Sequence, residues 1–441
     1  MSSELYWCER FVGLTDAENL RQKVTTHGAV SEDFPSLPLE DATRELRQAL
    51  RTVFYPTNQC LNILHRLIGI SSAHCLSTYP DARTFMKGLY AEAAPLTDFS
   101  PPLCLTGLAG IGKTEVLRAF RRLLSIESEV TVDDNHPPFR IHPPWLVTVQ
   151  SRSSSRDVLG ALANQDGKPY ELTKKCRRLA YRDGIPFLIA DELQFVTGSD
   201  SANTRVSQML MSLGYIGIPF LFAANFSMLS RLMKRPGEEQ QRLLAQPIVM
   251  LPDPPDSEDW RNTITALTAV EPHLFKFDVA NLAQELHHYT FGRKRALSEL
   301  LTLAFRIAYS AKEVTANTLA KAYKSSEYTI YRNEVECLNK QLVDHRPDKK
   351  RLDLWCPIPI DRANHAASIS QFSIAARERE IADAEVRSSL TPAEAKAAAA
   401  VSKAAMAKNS GGKAKVLSIQ RKKEISAETL KSNMDSFLDR L

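Results

Sequence analysis

The chain has no Cys-x-x-Cys pair. Its seven cysteines, at positions 8, 60, 75, 104, 176, 337 and 356, are irregularly spaced. An odd, scattered set indicates neither a disulfide framework nor a zinc site, and reduced thiols are expected. No apolar run approaches the roughly 20 residues that a membrane span requires. The opening Met1-Ser-Ser-Glu-Leu-Tyr-Trp7 has no basic stretch followed by an apolar one, so no secretion signal is read there. A cytoplasmic protein without membrane attachment is the expectation. No internal repeat is visible, so the sensor array that a nucleotide-switched signalling or defence scaffold would append is missing. Nor is charge of one sign abundant: 56 Lys and Arg stand against 51 Asp and Glu, a net charge of +5. Such mild basicity permits nucleic-acid contact without requiring it.

What is present begins with ordinary globular composition, 44% hydrophobic and 24% charged over 441 residues, enough for two or three domains. The most informative stretch is Leu103-Cys-Leu-Thr-Gly-Leu-Ala-Gly-Ile-Gly-Lys-Thr114. A short apolar strand runs into G-x-x-x-x-G-K-T, and a helix pattern follows over 115–124. The loop Gly107-Leu108-Ala109-Gly110-Ile111-Gly112-Lys113-Thr114, with Glu115 after it, is the expected phosphate cradle. Its glycines let backbone N–H groups wrap phosphate oxygens. Lys113 would reach the β- and γ-phosphates of ATP, and the Thr114 hydroxyl would be a Mg²⁺ ligand. The following helix would aim its N-terminal dipole at the nucleotide.

A second strand, Phe187-Leu-Ile-Ala-Asp-Glu192, ends in two acids. Asp191 would hold Mg²⁺, and Glu192 would orient and deprotonate the attacking water. Five apolar strands are expected in all, at 103–107, 145–149, 187–191, 219–224 and 247–251. Helices are expected between them, at 115–124, 156–163, 171–183, 204–214 and 226–235. Alternation of this kind implies a parallel sheet covered by helices, with ligands beyond the carboxyl ends of its strands. Asn225 falls at such an end. It would either reach the γ-phosphate and the attacking water or cap the next helix.

The organisation expected is a helical N-terminal region over 1–95, with helices at 41–54, 58–70 and 81–93. A P-loop ATPase domain follows over 96–252, then a helical lid over 253–330 with helices at 257–270, 278–288, 293–310 and 315–324. The remainder, 331–441, is read as a partly flexible tail ending in an amphipathic helix whose apolar stripe is Leu430, Met434, Phe437, Leu438 and Leu441. In the lid, Gly292-Arg-Lys-Arg-Ala-Leu297 opens a helix, and Arg295 would swing onto the nucleotide. Arg235 and Arg242 are equal candidates for a cation that completes a neighbouring subunit's site, because charge developing on the γ-phosphate needs one. Short basic clusters, Arg152 and Arg156 after the second sheet strand, then Lys174, Lys175, Arg177 and Arg178 on a helix, are candidates for phosphate contacts on DNA.

Taken together, Gly107 to Thr114, Asp191-Glu192, Asn225, a downstream arginine and Gly292-x-x-Arg295-x-Leu297 resemble the AAA+ ATPases over about 96–325. In that family's terms Asn225 looks like sensor 1, Arg295 like sensor 2, and Arg235 or Arg242 like the arginine finger. Within AAA+, Tyr55-Pro-Thr, the Leu-Thr-Gly-x-x-Gly-x-Gly-Lys-Thr loop, Ile-Ala-Asp-Glu-Leu-Gln194 and Gly217-Ile-Pro-Phe220 look most like the TnsC/TniB group of transposition regulators. That resemblance implies homo-oligomeric rings or helical filaments on duplex DNA, held through phosphates and so largely indifferent to sequence. It also implies recruitment of a transposase to a site chosen by a target-selection protein of the TniQ type, with ATP hydrolysis limiting the assembly. The competing reading is an ATPase of the replication-initiator or helicase-loader kind, which should carry its own DNA-reading domain after the lid.

Overall fold

A computed structural model describes residues 6–125, 128–132, 135–149, 153–191, 200–344 and 346–359, with isolated positions at 375, 378 and 382; at 6, 128, 200–203 and 343 only the backbone is described. The chain divides into two units, Met1–Ile374 and Ala375–Leu441. The strands and helices named here belong to the first.

Strands β1 (Leu103–Gly107), β4 (Trp145–Thr148), β5 (Leu188–Asp191), β6 (Phe220–Ala224) and β7 (Gln246–Met250) form one parallel sheet in the order β4-β5-β6-β1-β7. Each lies within one residue of its expected position. The central strands β1, β5 and β6 are buried at every residue, as a strand covered on both faces must be. That is why they read as short unbroken apolar runs. A small antiparallel ribbon of β2 (Ser128–Val130) and β3 (Phe139–Ile141) was not expected. Three residues each, mixing charge with apolar side chains, are too few to display a period.

Helices α6 (Lys113–Leu123), α7 (Ser155–Ala163), α8 (Pro169–Arg182), α9 (Asp200–Gly214) and α10 (Phe226–Leu232) alternate with the strands. The helix expected over 226–235 stops at Leu232, and a separate α11 (Gly237–Leu243) follows Pro236, whose ring cannot continue a helix. The region expected to form the lid, called the lid below, holds α12 (Glu258–Thr268), α13 (Val279–Thr290), α14 (Lys294–Ala308) and α15 (Ala316–Lys324). None of the described helices is long and apolar enough to cross a membrane.

Two features of the organisation could not be read from the sequence. The N-terminal region is helical, with α1 (Tyr6–Glu9), α2 (Ala17–Val24), α3 (Leu39–Thr52), α4 (Asn58–Thr78) and α5 (Ala82–Leu89), but it is not a module of its own. Trp7, Leu20, Leu64 and Phe85 belong to the core of the sheet. Helix α3 instead gives Ala42, Leu46 and Leu50 to the core of the lid, with Trp260, Leu300 and Phe305. Arg47 pairs with Glu299 at 3.0 Å, and the Tyr309 hydroxyl donates to the Leu37 carbonyl at 2.6 Å. The chain crosses back to the sheet at Tyr55, whose hydroxyl accepts from Arg21 of α2 at 2.8 Å and from Asn262 of α12 at 3.0 Å. Next to it, the Asn58 N–H donates to Asp259 of the lid at 2.9 Å. An apolar stripe on α3 shows that it must pack, not against what.

The second lies around residue 331. Helix α16 (Thr329–Asp344) runs through it, and a 3-10 turn (Leu352–Leu354) follows. Val335, Leu338, Leu354 and Cys356 are buried against Leu108 of the glycine-rich loop, Phe226 of α10 and Phe291 of the lid. Residues 331–344 and 346–358 are therefore part of the folded body. The amphipathic helix expected at 430–441 lies outside the described residues.

Candidate nucleotide-binding site

The glycine-rich loop leaves β1 at the carboxyl rim of the sheet and closes into α6. Gly110 and Gly112 have φ of +79° and +116°, a region that side chains with a Cβ rarely enter. Gly107 is needed for a different reason: a Cβ there would stand 2.5 Å from the Met250 carbonyl oxygen of β7. Gly112 caps α6 in a left-handed conformation, so the first N–H groups of that helix are directed at the space the loop encloses. Lys113 Nζ donates to the Gly107 and Leu108 carbonyls, both at 2.9 Å. Its ammonium is thereby folded over the loop. This is a P-loop fold.

The rest of the rim follows from strand register. Thr106 of β1 lies beside Ala224 of β6, so Asn225 borders the start of the P-loop. Asp191 ends β5, paired in register with Thr148, and is 6% exposed. Only β6 separates its strand from β1, which puts the two strand backbones about 10 Å apart. Glu192 lies outside the described residues, as does Arg152. Asn225 does perform the capping alternative: its side-chain oxygen accepts from the Met228 N–H at 3.1 Å and from the Ser227 hydroxyl at 2.8 Å. Its amide NH₂ is left as the group that could face a ligand.

The lid reaches the same loop. Phe291 and Gly292 both have positive φ, +56° and +64°, and this pair reverses the chain between α13 and α14. The turn is wedged against the end of the sheet, where a Cβ on Gly292 would stand 3.1 Å from Pro252 and 3.3 Å from the Asp253 carbonyl. Helix α14 then begins on the P-loop, with the Arg295 N–H donating to the Gly110 carbonyl at 3.0 Å. Arg293, whose side chain is 3% exposed, pairs with Glu334 of α16. Glu334 in turn pairs with Arg351 at 3.3 Å. Burial raises the Asp253 carboxyl above the usual range, with the Lys294 charge opposing. The role of Glu334 left no signal in the sequence, because it sits in a stretch read as tail.

These residues fit a nucleotide. The cradle has its left-handed glycines, a cation over the loop and a helix N-terminus. A magnesium ion bound with the phosphates would find the Thr114 hydroxyl and the Asp191 carboxylate, hard oxygen ligands of the kind it takes.

No family model matches the sequence, and no curated protein matches it. Among solved structures the P-loop chain is similar to the Aeropyrum pernix ORC2 protein in its ADPNP-ADP complexes, at 15% identity over 59% of this chain and 70% of that one, with a TM-score of 0.37. The A. pernix ORC1 protein in complex with DNA is similar at 19% identity over 60% and 66%, TM-score 0.36. Domain III of the Thermotoga maritima replication initiation protein DnaA is similar at 15% identity over 67% and 97%, TM-score 0.37.

The outlying candidates separate on inspection. Arg235 is paired with Glu239 at 2.9 Å and also reaches the Thr204 hydroxyl at 3.5 Å. Arg242 is exposed on α11. On α8, Arg177 is a structural residue and not a surface cation. Its guanidinium donates to the carbonyls of Leu96, Thr97, Tyr215 and Ile216 at 2.8–3.3 Å, and so ties α8 to the segment entering β1. Arg178 donates to the Glu92 carbonyl at 2.8 Å, and Lys175 to the Gln165 side chain. Arg156 and Lys174 are exposed. Arg177→Ala is accordingly expected to lower stability by about 2 kcal/mol, since it orphans four carbonyls. Lys174→Ala should leave stability unchanged. Urea unfolding of both variants checks this; equal stability of the two would refute the structural role of Arg177.

Proposed function

We propose that this protein binds and hydrolyses ATP as an AAA+ type switch, and that it acts on duplex DNA as a homo-oligomer. One observation carries the reading: a left-handed glycine cradle, Lys113 and the first turn of the lid helix α14 all converge on a single loop, with Asp191 at the same rim. In this account Lys113 and the α6 N-terminus hold the phosphates. Thr114 and Asp191 hold the magnesium ion, which supplies charge neutralisation when bound. Glu192 takes the proton of the attacking water, and the Asn225 amide orients that water.

The trans-acting cation is assigned to Arg242. Arg235 is already neutralised by Glu239 and would have to break that pair, whereas Arg242 is presented to solvent. Arg242→Ala should cut hydrolysis by DNA-bound assemblies at least ~10²-fold, in keeping with the size of arginine-finger effects. It should leave ATP affinity of the lone chain within about 2-fold. A loss confined to Arg235→Ala, read by phosphate release, would reverse the assignment.

At the finer level, the sequence resemblance supports a regulator of transposition that recruits a transposase and answers to a TniQ-type partner. The second reading, a replication-initiator or helicase-loader ATPase, uses the same site, and one of the structural neighbours named above is domain III of a replication initiation protein. Electron microscopy of the chain with duplex DNA and a slowly hydrolysed ATP analogue tests what the two share: ordered assemblies are expected with the analogue and none with ADP. Adding a transposase or a replicative helicase then separates them by which is retained.

A further inference from the structure

Two cations open helix α14, and they diverge within its first turn. Arg295 is exposed, and its Cβ lies 2.8 Å from where a Cβ on Gly110 would stand. Lys294 reaches over Gly112 instead. Its Cδ is 3.5 Å from the corresponding position on that glycine, and its Nζ is buried without a hydrogen-bond partner.

This is an unfavourable place for an ammonium. Gly112 caps α6, so the partial positive charge of a helix N-terminus lies alongside. Lys113 contributes a second full charge to the same loop. Asp253, packed under the same turn, is close enough to feel the Lys294 charge but makes no direct ion pair or hydrogen bond with its ammonium. A buried ammonium that lacks hydrogen-bonded partners costs stability, and an anion seated on the α6 N-terminus would reduce that cost. The Lys294 backbone is also fixed. Arg293 before it is pinned by Glu334, and the Arg295 N–H after it is bonded to Gly110.

We propose that Lys294 is a nucleotide-binding residue, its ammonium taking a phosphate oxygen at the N-terminus of α6 that ADP and ATP share. The choice of a shared phosphate follows from the position over Gly112, where the backbone cradle holds the inner phosphates. The γ-phosphate lies farther along, toward Lys113. The proposal rests on the P-loop reading above and adds to it a second lid cation beside Arg295.

The test is nucleotide titration of the full chain carrying Lys294→Met, with Lys294→Arg, Arg295→Met and Lys113→Ala alongside, read with fluorescent ADP and ATP analogues. Lys294→Met should weaken both nucleotides by about 10- to 100-fold, as loss of a charge-assisted contact in a buried site does. Lys294→Arg should hold within about 5-fold. The melting temperature without nucleotide should rise in Lys294→Met, because an uncompensated buried charge is gone. The further rise that nucleotide produces should shrink. A purely structural lysine would give the opposite sign in the first of these. Less than 3-fold weakening, a loss confined to ATP, or a lowered melting temperature would each overturn the proposal. If Lys113→Ala also left affinity intact, the P-loop reading itself would fall; if only Lys294→Met did, the fault would lie with Lys294 alone.

Discussion

Replacing Lys113 with alanine is expected to weaken ATP binding by about two to three orders of magnitude. The Nζ of Lys113 is held over the loop by two carbonyls at 2.9 Å, so the charge is already positioned before a phosphate arrives. Removing a charge that faces a desolvated anion costs about 3–4 kcal/mol, and that converts to roughly 10²- to 10³-fold in dissociation constant. The fold should tolerate the change. The buried face of α6 is Val116, Leu117, Ala119, Phe120 and Leu123, and Lys113 is not on it. Isothermal titration with ATP decides the matter: parental affinity in the alanine protein would remove the basis for every function proposed above.

Glu192→Gln is expected to do something different. Glutamine keeps the size and hydrogen-bonding reach of the side chain but cannot accept a proton. ATP should bind within about 3-fold of the parent while hydrolysis drops by about 10²- to 10⁴-fold, the range of a lost general base. Because the family resemblance implies that hydrolysis limits or releases the assembly, the variant should remain on DNA long after the parent has dissociated. Phosphate release and dissociation from labelled duplex measure the two halves. A Glu192→Gln chain that stayed monomeric with ATP and DNA, or that turned over ATP at the parental rate, would contradict the switch.

Much of this machinery was legible in the residues. All five sheet strands were placed to within a residue; the central three, β1, β5 and β6, stand out because burial on both faces makes them mostly apolar runs. The P-loop was legible because its chemistry is local: the glycines, the lysine and the hydroxyl are consecutive, and backbone conformation alone makes them a cradle. Asn225 was ambiguous for a physical reason, and the structure shows why. An asparagine at a strand end uses its oxygen to cap the following helix, while its NH₂ is still a donor. Arg177 could not be told from its basic neighbours on α8, because a run of arginines looks the same whether it meets solvent or carbonyls. Arg177 meets carbonyls from segments 38 to 81 residues away.

By itself, then, the sequence determined the strands, their alternation with helices and the phosphate-binding loop, all of which depend on neighbours a few residues apart. Only the tertiary structure decided which helix joined which core, with α3 going to the lid and α16 folding back onto the body. It alone set Glu334 against Arg293 and Lys294 over Gly112. The Arg293–Glu334 pair joins residues 41 positions apart, and the Arg47–Glu299 pair that ties α3 to the lid joins residues 252 apart. A pairing across such distances imposes no period on the chain; it exists only once the backbone has brought the two charges together.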